Sequence, residues 1–297
     1  MQLSELGEFG LLAELERRGL AHGIGDDAAL FHEGIVVTQD TLVEGVHFRF
    51  DWTSWRDLGY KAAAVNLSDL AAMGASPAGL LVALNLPRET RVADVLELYQ
   101  GLNEPGVAIV GGDTNAADAV AISVSAVGES ARVPGRAGAR AGDVLVVTGP
   151  LGGAAAGLYA LERGLVGFDD LVARHHRPPF RLDAAAILAP RAHALIDLSD
   201  GIASDAARIA ERSGCRLVID VDRLPLAPRL ADVADEPFWT YGEDYELLAA
   251  LPSADAEESG FTIVGRCEEG AGVELLRHGR SFEAEGWDHY RRSLPSP

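Results

Sequence analysis

The stretch at residues 61–74, KAAAVNLSDLAAMG, constrains this chain more than any other. Its Ala, Leu, Val, Met and Lys favour a helix, and Gly74 ahead of Ala75-Ser76-Pro77 supplies a stop. The helix is apolar nearly all round, so the pattern predicts a buried element and not an amphipathic surface one. Asn66 and Asp69, three residues apart, share one face of it. A carboxylate inside such a helix loses several kcal/mol of hydration unless it is paired or holds a cation. No Lys or Arg lies within four residues of Asp69. An Asp exposed or capped at the surface is the ordinary alternative; a metal ligand is the sharper one.

Other acids gather at the ends of expected strands. Asp26-Asp27 follows Gly23-Ile24-Gly25, where paired Asp also suits an ordinary turn. Residues 34–40, GIVVTQD, read as a strand ending at Asp40, and His47 follows a few residues on. A strand at 106–110 is expected to run into Gly111-Gly112-Asp113-Thr114-Asn115, where two glycines before an acid at the strand end permit close approach to a ligand. The segment Ile196-Asp197-Leu198-Ser199-Asp200-Gly201 crowds three oxygen-bearing side chains before a helix near 204–213. Gly149-Pro150-Leu151-Gly152-Gly153 opens an alanine-rich helix, where free N–H groups can bind an anion, though it has neither Walker A nor dinucleotide spacing. The paired histidines of His175-His176-Arg177-Pro178-Pro179 read as a solvated loop.

Strands alternate with helices, but some strand pairs are too close for parallel crossovers, so the fold class is α+β and not doubly wound. At 297 residues the chain has room for two domains. The Gly/Arg-rich segment at 135–143 marks the boundary, giving residues 1–137 and 138–297. No apolar run is long enough to span a bilayer, and the N-terminus reads as a helix and not a signal peptide. Two cysteines without a spacing pattern fit a reduced, cytoplasmic protein. A net charge of −20 argues against nucleic acid and anionic membranes as partners. It does not exclude phosphates if divalent cations stand between. Acids that converged without cations would repel one another and stay partly protonated. Mg²⁺ suits an Asp-rich, Cys- and His-poor set and bridges carboxylates to phosphates. Polyphosphate bound through several Mg²⁺ ions is what the residues alone suggest.

GIGDDAA, DTLVEGVHF, NLSDLAAMGA, GGDT, DLSDG and GEDYELL, in that order, resemble the thiamine-monophosphate kinase family of the aminoimidazole ribonucleotide synthetase superfamily, from about Glu8 to Tyr290. The resemblance implies two α+β domains, the N-terminal ones carrying a mixed or antiparallel sheet with helices on one face and pairing into a barrel across a homodimer. It implies ATP-dependent phosphorylation of thiamine monophosphate to the diphosphate by direct transfer. By resemblance Asp27, Thr38, Asp40, Asp69, Asp113, Asp197 and Asp200 are the Mg²⁺ ligands, with Asp26 the alternative to Asp27. Gly112, Asp113, Arg136, Ser199 and Tyr99 are the ATP contacts, and His47, Glu243 and Trp287 the contacts to thiamine monophosphate. Gln39 departs from the family, which often has Ser or Thr there. Transfer between two anionic phosphates needs neutralisation and alignment but no general base, so no catalytic base is expected. Rival expectations are another ATP-using synthetase or ligase of the superfamily, or a non-catalytic Mg-nucleotide binder. A selenophosphate synthetase needs a reactive residue near the N-terminus, and no Cys precedes Cys215.

Overall fold

The protein is described here by a computed structural model, which describes residues 3–282. Helix α1 (Leu3–Arg17), kinked at Gly7, leads into β1 (Ala29–Leu30) and β2 (Ile35–Val43). Then come α2 (Trp55–Ala72), β3 (Ser76–Leu86), α3 (Val92–Asn103), β4 (Ile109–Ala116) and β5 (Ala121–Glu129). These strands form one sheet in the order β1-β2-β5-β3-β4, antiparallel except where β3 and β4 run parallel.

The second half begins with β6 (Val144–Val147), α4 (Gly153–Glu162), α5 (Asp169–His176), α6 (Leu182–Leu188) and β7 (Ala194–Asp197). It continues with α7 (Ile202–Ser213), β8 (Arg216–Asp220), α8 (Leu230–Val233) and β9 (Leu247–Leu251). It closes with α9 (Ser253–Ser259), β10 (Thr262–Glu268), β11 (Gly272–Arg277) and β12 (Arg280–Phe282). Its sheet, also mixed, runs β12-β11-β8-β10-β6-β9-β7. The fold is thus mixed α+β with two sheets.

Helix α2 lies between the halves, which is why it is apolar on every side. Ser54 caps it by accepting from Asp57 N at 3.0 Å. Gly74, at φ 62°, ends it, and Ala75 N donates back to Leu70 O. Ala62, Ala63, Leu67 and Leu70 pack into the core of the first sheet, whereas Ala71 and Ala72 pack with α6, β7 and β9 of the second half.

In the first sheet, Val36, Thr38 and Leu42 of β2, Ile122 and Val124 of β5, and Leu80, Val82 and Leu84 of β3 are buried on the face beneath α2. The opposite face carries Gln39, Thr41, Ser123, Ser125, Ala83 and Leu81, the last 41% exposed. Among the described residues that face is left open to solvent at Gln39, Thr41 and Leu81.

Three local expectations are corrected. The strand expected to end at Val110 runs on, so that Gly111 to Asn115 lies within β4. Gly112 is needed there because a Cβ would come within 1.9 Å of Val82 O on the parallel neighbour. The N-terminus of α4 is occupied from within. Gly152 N donates to Asp244 Oδ2 at 2.6 Å and Ala154 N to Asp244 Oδ1 at 3.4 Å, so a carboxyl of the chain itself takes up two of these N–H groups. His175 and His176 are not solvated: α5 runs through both, and packing against α2 leaves His175 3% exposed.

Candidate functional site

Four elements bring acids to one place at the junction of the halves. Asp27 comes from the turn before β1, Thr38 and Asp40 from β2, Asp69 from α2 and Asp197 from the end of β7. Carboxylate oxygens of Asp27, Asp69 and Asp197 all lie within 4.8 Å of one another. Thr38 Oγ1 donates to Asp69 Oδ2 at 2.5 Å, and Ser68 Oγ donates to Asp197 Oδ2 at 2.7 Å. Asn66 turns its Oδ1 to the Asp40 backbone N–H at 3.1 Å and so pins β2 against α2.

The electrostatics are those of crowded like charge. Burial first, and then Asp40, Asp197 and Asp27, push the Asp69 carboxyl well above the usual range. Burial and then Asp27 do the same to Asp197, against the opposing pull of Ser68 and Arg136. Arg136 Nη2 donates to Asp27 Oδ1 at 2.5 Å, while Asp27 Oδ2 is buried with no hydrogen-bond partner. An orphaned carboxylate oxygen within a set of hard oxygen donors fits Mg²⁺ better than a softer ion. Asp26 is engaged elsewhere, its Oδ1 accepting from Arg136 N at 2.8 Å. Of the two neighbouring acids, Asp27 is the one that stands in the cluster.

The remaining sequence-derived residues are placed more widely. Asp200 lies beyond β7 and pairs with Arg208 Nη2, and its backbone N–H donates to Asp205 Oδ2 at 3.1 Å. Ser199 accepts from Glu243 N through its carbonyl at 2.8 Å. His47, in the turn after β2, accepts from Val43 N at Nδ1, which leaves Nε2 as its donor. Tyr99 lines a surface groove with Arg56, Leu96 and Gln100. Asp113 is not brought to the cluster. It pairs in register with Ala83, on the face turned away from α2, and accepts from Asn115 Nδ2 at 2.8 Å. Trp287 lies outside the described residues.

Several contributors were not singled out from the sequence. Ser68 sits in the same NLSD motif as Asp69, so its hydroxyl was available as a signal. Tyr245 lies in GEDYELL, and its phenol is pushed well above the usual range by burial first, then by Glu243, Asp40, Asp197 and Asp69. Its ring therefore stands within electrostatic reach of both Glu243 and the cluster. Lys61 and His175, which meet Glu243, carried no local signal.

Two mixed sheets with acids converging on the helix between them define a class. Residues 25–130 match the family described as AIR synthase related protein, N-terminal domain, and residues 140–274 match its C-terminal domain. Within that class the likeness is specific. The thiamine-monophosphate kinase of Aquifex aeolicus is 36% identical over 309 residues, covering 98% of this chain and 100% of that protein. The one from Mycobacterium tuberculosis H37Rv is 36% identical over 312 residues, covering 97% and 91%. A solved structure of AaThiL complexed with AMPPCP and TMP superposes with a TM-score of 0.90 at 36% identity, covering 97% of this chain and 99% of that one. The chain belongs to the thiamine-monophosphate kinase family.

Proposed function

We propose that the chain transfers the γ-phosphoryl group of ATP to thiamine monophosphate, forming ADP and thiamine diphosphate. The observation that carries this is the meeting of Asp27, Asp69 and Asp197 with an unpaired, buried Asp27 oxygen. The names of the relatives and the AMPPCP and TMP bound in the AaThiL complex support it.

Asp27, Thr38, Asp40, Asp69, Asp113, Asp197 and Asp200 would hold several Mg²⁺ ions. When bound, these ions neutralise the donor and acceptor phosphates so that they can approach in line. The acceptor monophosphate, with a second pKa of about 6, is largely dianionic at neutral pH and is itself the nucleophile. No side chain needs to remove a proton, so the acids are holders of cations and not bases. Arg136, Gly112, Ser199 and Tyr99 serve the nucleotide, with the Arg136 guanidinium poised beside Asp27. His47 offers its Nε2–H, and Glu243 its carboxylate, to the thiamine moiety; Trp287, a contact implied by the family resemblance, lies outside the described residues.

The chain is proposed to divide into domains at 1–137 and 138–297 and to work as a cytoplasmic homodimer. No described helix is long and apolar enough to cross a membrane. The uncovered sheet face bearing Leu81, Ala83 and Ser123 supports the dimer, since a second copy would cover it and close a barrel. Asp113 faces the same way, so as a ligand it would act at that interface.

The test is ADP release from Mg-ATP with and without thiamine monophosphate, together with product identification. Release that depends on thiamine monophosphate and yields thiamine diphosphate is expected. Equal turnover of free thiamine, which lacks the acceptor phosphate, would refute the reading.

A further inference from the structure

Outside the acid cluster, charged side chains also meet where α2, α5 and the loop before β9 converge. Lys61, on α2, is 3% exposed, and its Nζ stands 2.8 Å from Glu243 Oε1. His175, on α5 and equally buried, places Nδ1 3.1 Å from Oε2 of the same carboxylate. An ammonium withdrawn from water needs a fixed counter-charge, and a carboxylate so placed needs one too. Burial first, then the Lys61 charge, hold the His175 imidazole below its usual pKa, so it is neutral at pH 7. The full positive charge facing Glu243 is therefore that of Lys61.

The loop that presents Glu243 is held in an uncommon shape. Glu243 and Tyr245 have φ of 59° and 49°, in the left-handed region that non-glycine residues seldom occupy. Such a conformation persists where its surroundings over-determine it. Here Glu243 N donates to Ser199 O at 2.8 Å and Tyr245 N to Leu198 O at 3.0 Å, tying the loop to the segment after β7. The side chain is then fixed from the opposite direction by α2.

The same face of α2 carries a second support. Ser68 follows Lys61 by seven residues, two helical turns, and donates to Asp197 at 2.7 Å. At about 1.5 Å per residue the two supports are about 10 Å apart along a buried, rigid helix. One end of that interval lies at the acid cluster and the other at Glu243.

We infer that Lys61 is a positioning residue that fixes the Glu243 carboxylate at a set distance from the metal-binding cluster. It thereby selects acceptors that carry a phosphate at one end and a hydrogen-bond-donating or cationic head at the other. The inference rests on the phosphoryl-transfer reading above and assigns Lys61 no contact with the reacting atoms. A lysine serving only to hold the halves together would affect stability and both substrates alike.

The experiment compares Lys61→Met, Glu243→Gln and the double variant with the wild type. Steady-state constants for both substrates are measured, together with the melting shift produced by Mg²⁺ and AMPPCP. Lys61→Met should raise KM for thiamine monophosphate at least tenfold while kcat changes less than threefold. KM for ATP and the nucleotide-induced melting shift should stay at wild-type values. If Lys61→Met folds poorly, the double variant answers instead, because it removes both buried charges. Its melting temperature should recover towards the wild type while KM for thiamine monophosphate remains raised. A folded Lys61→Met or double variant with unchanged KM for thiamine monophosphate overturns the inference. So does a matched rise in KM for ATP. Failure of the wild type to release ADP in response to thiamine monophosphate overturns the functional reading itself, separately from Lys61.

Discussion

Asp69→Asn separates the metal reading of the cluster from a purely structural one, because the two predict opposite changes in stability. The amide keeps the shape of the side chain and can still accept from Thr38 Oγ1. It removes one of two carboxylates, Asp69 and Asp197, whose oxygens approach within 4.8 Å; the third, Asp27, is already paired with Arg136. Two like charges at that separation repel by about 3 kcal/mol at an effective dielectric constant of about 20. Unfolding entropy of about 2.1 cal/mol/K per residue gives about 0.6 kcal/mol/K for a 297-residue chain, hence a rise of about 5 °C in melting temperature. The sign follows from the raised carboxyl groups of Asp69 and Asp197. Groups raised above their unfolded values favour the folded state in acid, and that favour is lost as pH rises through the folded values. The gain from Asp69→Asn should therefore be seen in chelator at pH 8 and fade towards pH 4. Added Mg²⁺ with AMPPCP should raise the wild-type melting temperature strongly and the variant's little, and turnover should be nearly abolished. Differential scanning fluorimetry in chelator and in Mg-AMPPCP reads all of this. A variant less stable than wild type in chelator at pH 8, or one that keeps wild-type turnover, would refute the reasoning.

Removing the Ser68 hydroxyl leaves the buried Asp197 oxygen short of a donor, so Ser68→Ala should cost about 1–3 kcal/mol in chemical denaturation without metal; no loss would show that Asp197 is not held through Ser68. Asp244, raised to about 7 chiefly by burial, should make stability fall as pH rises from about 4 to 7, and Asp244→Asn should flatten that slope in urea titrations. An unchanged slope would place the titration elsewhere. For the dimer, Leu81→Asp on the uncovered face should yield a folded, monomeric protein in sedimentation, whereas Ile122→Asp, fully buried beneath α2, should unfold the first half. A Leu81→Asp protein that sediments as the wild type would move the interface to another surface.

What was legible in the sequence was the kind of constraint at each position, and what was not was the partner that satisfies it. Asp69 stood out because a lone acid in an all-round apolar helix has few physical outcomes, and the structure gives it Thr38 on one side and two acids on others. The strands were legible by alternation, but which face a residue takes depends on register with strands far away in the chain. Asp113 illustrates this: its motif marked it as an acid beside glycines, yet its pairing with Ala83 turns it away from the Asp27–Asp69–Asp197 group. The Gly152-Gly153 turn had the free N–H groups of an anion site, and the chain's own Asp244 carboxyl proved to meet two of those groups there. Lys61 was the least legible of all. Lysine is at home in any helix, so nothing local distinguishes a solvated one from one that is 3% exposed and paired with a carboxylate of the other half. Its burial follows from α2 being wanted by two sheets at once. The same sandwiching that leaves Asp69 half-buried among other acids strips water from Lys61, and each then needs an opposite charge supplied from outside the helix. For Lys61 the chain supplies it as Glu243; for Asp69 the chain supplies more acids, which is why a cation from solution is the natural completion.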